Sequence, residues 1–190
     1  MKLEIKLIED QPGQMKTIKE AIEARYRDAR VQTFETERSF RDYLNISAAE
    51  HAAPPEVVIS DVMVRWDFPE PDAEAPPPDV KGGTFREAGL RCFKQARKMG
   101  LAEVPWVYFT VLDADTVRNA DTYDDLTHHV QKSGSLVPLF TELDNLFELN
   151  EEWLETDQKV TDSLLNNPKM RAALLEGLAA PLHLCAPSPV

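Results

Sequence analysis

Apolar and polar residues change their period repeatedly over the first 150 positions, and the changes divide the chain into short segments. Leu3-Glu4-Ile5-Lys6-Leu7-Ile8 alternates and then turns wholly apolar, the pattern of a strand. Glu9-Asp10 and the turn signal Gln11-Pro12-Gly13 follow it. Met15, Ile18, Ile22 and Tyr26 recur every three or four residues and predict a helix over 14–26. A second strand is expected at 30–34. A second helix is expected at 37–44, with Phe40 and Leu44 on one face, followed by a loop over 48–55. Val57-Val58-Ile59 is a continuous β-branched run, which suits a strand covered on both faces, and Ser60-Asp61 stands where it ends.

The rhythm breaks at 65–83, where proline and acidic residues dominate; this stretch reads as a long loop of polyproline character through which no helix passes. A helix is expected over 84–99, with Gly100 suited to its C-terminal end. Val104 to Phe109 reads as a strand ending at Thr110. Residues 111–125 are polar and poorly periodic, so a helix there is short or distorted. His129-Val130-Gln131 forms a weak strand before Lys132, and 136–149 is a helix. Trp153, Leu154, Leu164, Leu165, Leu174, Leu175 and Leu178 mark a separate amphipathic segment, with 186–190 a frayed tail.

Strands that alternate with helices about five times predict an α/β domain: a doubly wound, five-stranded parallel sheet covered on both faces. Right-handed crossovers then place every strand's C-terminal end on one edge. Glu9, Asp10, Asp61, Thr110 and Lys132 all fall at that edge, where open parallel sheets bind ligands. The expected organisation is a domain over 1–149, interrupted by the 65–83 insertion, and a helical C-terminal extension over 150–190.

Charge narrows the function classes. The formal net charge is -12. No cluster of Lys and Arg stands out to displace counterions from phosphate, which argues against nucleic acid as a partner. Cys92 and Cys185 are far apart, without metal-ligand spacing, and Cys92 reads as a small core residue. There is no signal-peptide pattern at the start and no run of 18 apolar residues, so no membrane association is expected. A cytoplasmic protein is expected.

The edge residues carry a resemblance. Glu9 and Asp10 after strand one, Asp61 after strand three, Thr110 after strand four and Lys132 after strand five match, in order and approximate spacing, the receiver domain of two-component response regulators. The resemblance covers about residues 1–149. It implies a flavodoxin-like strand order, 2-1-3-4-5. It also implies roles: Asp61 as phosphoacceptor, and Glu9, Asp10, Asp61 and the backbone carbonyl of Met63 as ligands of a divalent metal, Mg²⁺. Thr110 would reach the phosphoryl group, Lys132 would pair with an oxygen of the acyl phosphate, and Thr110 and His129 would occupy the switch positions. The implied partner is a histidine kinase or phosphotransfer protein, with output through protein contacts. The chain also departs from the family. Arg65 stands where proline usually follows the acceptor, Val111 where a small residue follows the threonine, and Ser133 where proline follows the lysine.

Two further readings belong beside this one. In a pseudo-receiver the same fold is a binding module read without phosphate. In a small Mg²⁺-dependent phosphatase of the haloacid-dehalogenase type, an Asp-x-Asp pair would be required, and Met63 occupies the second place. Trp66 and Phe68, just after the acceptor, are expected to pack within the chain more readily than to serve recognition. The leucines of residues 151–180 are expected to bury themselves by self-association, giving a homodimer, because large apolar patches mark interaction sites.

Overall fold

The computed structural model describes residues 3–68, 76–81, 85–118 and 123–147. The chain divides into two compact units, Met1–Leu143 and Asp144–Val190. The expected helical extension over 150–190 and its self-associating leucines lie outside the described residues.

Five strands form one sheet: β1 (Leu3–Ile8), β2 (Ala29–Phe34), β3 (Val57–Ser60), β4 (Trp106–Thr110) and β5 (Thr127–Gln131). All neighbours pair in parallel and the order is β2-β1-β3-β4-β5. This is the flavodoxin-like order expected from the sequence. β3 and β4 are buried at every position, as strands covered on both faces must be.

Six helices lie between and after the strands among the described residues: α1 (Pro12–Arg25), α2 (Glu37–Glu50), α3 (Pro78–Lys81), α4 (Ala88–Lys98), α5 (Ala114–Arg118) and α6 (Val137–Leu146). A single 3₁₀ turn, Phe85–Glu87, leads into α4. One layer of the core joins α2 and α4 to the sheet through Phe34, Phe40, Leu44, Val58, Phe93, Trp106 and Tyr108. Phe40 and Phe93 meet the Trp106 ring edge-on, with centroids 5.9 and 5.5 Å away. Buried Ile5, Leu7, Ile18, Ile22, Val107, Leu139 and Leu143 lie outside that cluster. There Tyr26, the residue after α1, meets Phe140 of α6 edge-on.

Two expectations need correction. α2 runs to Glu50 rather than ending at residue 44. Its apolar period stops at Leu44 because the last turns leave the core, and Ile46 is exposed there. Thr36 and Ser39 close a capping box at its start, and His51 ends it in the left-handed region at φ 53°. The proline-rich insertion also contains a helical turn, α3, which begins at Pro78. Proline fits a first helical position, where its φ is already set and a missing N–H costs nothing. Elsewhere the differences are at boundaries: β5 begins two residues before its expected start, and Gly100 closes α4 with φ 97°.

Candidate functional site

The sheet brings its candidate residues to one edge by backbone pairing. Asp61 N–H donates to the Ile8 carbonyl at 2.9 Å, which extends the β1–β3 ladder and sets Asp61 beside the end of β1. Glu9 N–H donates to the Phe34 carbonyl at 3.0 Å, and Lys132 N–H to the Thr110 carbonyl at 2.8 Å. The edge is therefore fixed before any side chain acts.

Lys132 is the centre of the site. Its Nζ lies 2.6 Å from Asp61 Oδ2 and 2.6 Å from Glu9 Oε2. Asp61 is 5% exposed and Glu9 1%. The remaining carboxylate oxygens are also held. Glu9 Oε1 accepts from Gln11 N–H at 3.1 Å, and Asp61 Oδ1 accepts from Met63 N–H at 3.2 Å. Burial pushes the Glu9 carboxyl above its usual value, against the opposing pull of Lys132. Burial also pulls on the Lys132 ammonium, but the Asp61 and Glu9 carboxylates outweigh it and hold its pKa above the ordinary lysine value. The proton therefore stays on the lysine.

Asp10 stands apart from this bridge. Its Oδ2 accepts from the backbone N–H and the Nε of Arg65, both at 3.3 Å. Sequence reasoning registered Arg65 only as a departure from a family pattern. Its contact with Asp10 spans 55 residues and leaves no local signal.

Thr110 is fully buried at the end of β4, and its Oγ1 accepts from Leu112 N–H at 3.4 Å. His129 Nε2 lies 2.8 Å from the carbonyl of the same Leu112. Both switch candidates thus hydrogen-bond to the turn after β4. The Lys132–Ser133 peptide is trans.

Two supports were missed entirely. Gly89, in the first turn of α4, donates its N–H to the Val62 carbonyl at 3.0 Å. A Cβ there would sit 2.3 Å from the Asp61 carbonyl oxygen, so only glycine permits this approach. The second support is Glu37, which is fully buried at the start of α2. It accepts from Arg91 Nε at 3.0 Å, from Arg91 Nη2 at 2.6 Å and from Arg41 Nη2 at 2.7 Å. The adjoining N–H groups hold the loop after Asp61: Glu37 N–H donates to the Arg65 carbonyl and Arg38 N–H to the Trp66 carbonyl. Arg41 stacks over the Trp66 ring at 5.5 Å, so Trp66 packs within the chain.

Glu9, Asp10 and Asp61 offer hard oxygen donors of the kind Mg²⁺ prefers. Their present arrangement divides them between two side-chain cations, Lys132 and Arg65. Among the described residues no group of at least three His, Cys, Asp or Glu side chains is gathered to hold a metal ion. The donor chemistry is of the kind a divalent cation takes, with Glu9 and Asp61 paired to Lys132 and Asp10 to Arg65 in this arrangement.

No family model matches the sequence. No curated protein matches it either. Solved structures do. The response regulator TrrA of Thermotoga maritima, in complex with Mg²⁺ and beryllofluoride, is 18% identical over 77% of this chain and 99% of its own, with a TM-score of 0.50. The chemotaxis protein CheY4 of Vibrio cholerae is 15% identical over 77% and 99%, with a TM-score of 0.53. A response regulator receiver protein from Sinorhizobium medicae is 15% identical over 77% and 95%, with a TM-score of 0.52.

The chain has the receiver fold. Within the receiver fold Asp61 follows the third strand and Lys132 the fifth, on the edge where the sheet order 2-1-3-4-5 leaves a crevice beyond the strand ends. No helix among the described residues is long and apolar enough to cross a membrane.

Proposed function

We propose that this protein is a response-regulator-like signalling protein whose Asp61 accepts a phosphoryl group from a histidine kinase or phosphotransfer partner. The observation that carries the reading is the Lys132 ammonium, held 2.6 Å from the Asp61 carboxylate and kept charged by it. An Asp61 oxygen attacks the phosphorus of a phosphohistidine. The O–P bond forms, the P–N bond breaks, and its electron pair returns to the imidazole. Phosphoryl transfer needs mainly position and charge neutralisation, and Lys132 supplies both at the developing phosphoryl oxygens. Glu9, Asp10, Asp61 and the Met63 backbone carbonyl are the donors that would hold Mg²⁺, which when bound supplies further neutralisation there. Thr110 is the hydroxyl for a phosphoryl oxygen, and His129 the side chain that would move with it.

In this reading residues 1–149 receive the phosphoryl group in the cytoplasm and 150–190 carry output through protein contacts, self-association included. The pseudo-receiver is the rival, and chemistry at Asp61 separates the two. The full-length protein, incubated with Mg²⁺ and acetyl phosphate, should gain one phosphoryl group by intact-mass measurement, and Asp61→Asn should abolish the gain. A wild-type mass that stays unchanged with acetyl phosphate, together with no binding of beryllofluoride in the presence of Mg²⁺, would leave the binding module as the function.

A further inference from the structure

We infer that Arg65 is a tethered cation that competes with a divalent metal for Asp10, so that the metal site of this chain loads only when the guanidinium leaves. The inference rests on the phosphoacceptor reading above and concerns a residue that reading does not use.

Four observations carry it. Arg65 holds Asp10 at the carboxylate, through its backbone N–H and Nε at 3.3 Å, and at the backbone carbonyl, through Nη2 at 3.5 Å. Lys132 is committed to Glu9 and Asp61, so Asp10 is the edge carboxylate it does not span. The Arg65 main chain is pinned, because Glu37 N–H donates to its carbonyl at 2.9 Å and the next residue is held by Arg38 N–H at 3.0 Å. The guanidinium can therefore leave while the Arg65 backbone N–H keeps its bond to Asp10. The side chain is 43% exposed and already lies 5.4 Å from the Phe68 ring, which offers a resting place off Asp10.

Charge states the competition plainly. Glu9, Asp10 and Asp61 contribute three negative charges, and Lys132 and Arg65 return two positive ones. A metal entering at Asp10 meets a guanidinium on the carboxylate oxygen it needs, and like charges at that range disfavour each other. Metal entry and Arg65 departure become a single exchange. A proline at this position could not oppose the metal in that way.

Calorimetric titration of the full-length protein with Mg²⁺ tests the inference. Arg65→Ala should bind Mg²⁺ about three- to fivefold more tightly than wild type, the scale of an exposed ion pair. Arg65→Gln, which keeps the aliphatic stem and a polar end but no charge, should do the same and guards against a loop disturbed by alanine. In an Asp10→Asn background the advantage of removing Arg65 should vanish. Equal affinities for wild type and both Arg65 variants, with Asp10→Asn weakening all of them, would leave the metal site standing and overturn the competition. Mg²⁺ bound by none of the proteins would overturn the competition together with the metal assignment. Phosphoryl labelling of Asp61 by acetyl phosphate would then show whether the phosphoacceptor reading survives alone.

Discussion

Gly89→Ala probes how closely α4 is pressed against the acceptor loop. The added Cβ would lie 2.3 Å from the Asp61 carbonyl oxygen, 2.8 Å from the Val62 Cα and 3.0 Å from the Ser60 Oγ. Two of these neighbours are backbone, pinned in turn by the bonds Asp61 N–H to Ile8 and Gly89 N–H to Val62. Relief requires the helix start to retreat by roughly 1 Å, since carbon contacts settle near 3.5–4.0 Å. Overpacking of this kind costs about 1–3 kcal/mol. The strained bond to Val62 adds about 1 kcal/mol if lost. Alanine's better helix propensity returns at most about 1 kcal/mol. With the last two offsetting each other, the net expectation is a loss of about 1–3 kcal/mol, or a Tm lowered by roughly 3–10 °C for a domain of this size. Thermal unfolding followed by circular dichroism measures it, and Gly13→Ala is the control, because nothing lies within 4 Å of a Cβ there. A Gly89→Ala protein that melts with wild type would refute the close approach and the local account of why Asp61 sits where it does.

Lys132→Met should leave Glu9 and Asp61 buried without their shared cation, at a cost of about 3–5 kcal/mol near neutral pH. The deficit should shrink on acidification. Burial raises the folded-state pKa of Glu9, so its protonated form is favoured below that value and stability is lost as pH rises through it; urea midpoints at about pH 5 and pH 7.5 would show the trend. Asp124 behaves in the opposite sense. Burial would raise its pKa, but Arg97 and Thr127 outweigh that and hold it below the ordinary value. Its contribution is present above the usual aspartate range and lost as pH falls through the lowered pKa, so Asp124→Asn should flatten the acid limb of the stability curve.

The fold was legible because its periods are clean. β1 alternates, β3 and β4 are continuous apolar runs, and α1 and α6 repeat at helical spacing, so type and order of the elements follow from burial alone. Glu9, Asp61 and Lys132 were legible because each directly follows a strand, and parallel strands end together. What stayed hidden depends on distant partners. Glu37 looks like a solvated first-turn acid until Arg91 and Arg41 arrive from elsewhere in the fold. Arg65 and Asp10 are brought together only by the β1–β3 pairing. Gly89 sits in a helix where local propensity disfavours it, and the cause is a backbone that approaches from another element. The last turns of α2 touch no core, so an apolar period could not report them.

Two described residues of the proline-rich insertion are held by one helix. On the insertion's near side Arg38 holds Asp67 at 2.7 Å, and on its far side Arg41 holds Asp79 at 2.6 Å. These arginines are three residues apart on α2, so the two ends of the intervening chain are stapled to neighbouring points of a rigid rod. For a segment closed in this way, length enters stability only logarithmically, with each doubling costing about 0.6 kcal/mol. Residues could be gained or lost between Asp67 and Asp79 while Asp61 and Lys132 kept their places. A change of length between the clamps is thus absorbed between two fixed points of α2 and is not passed on to the acceptor edge.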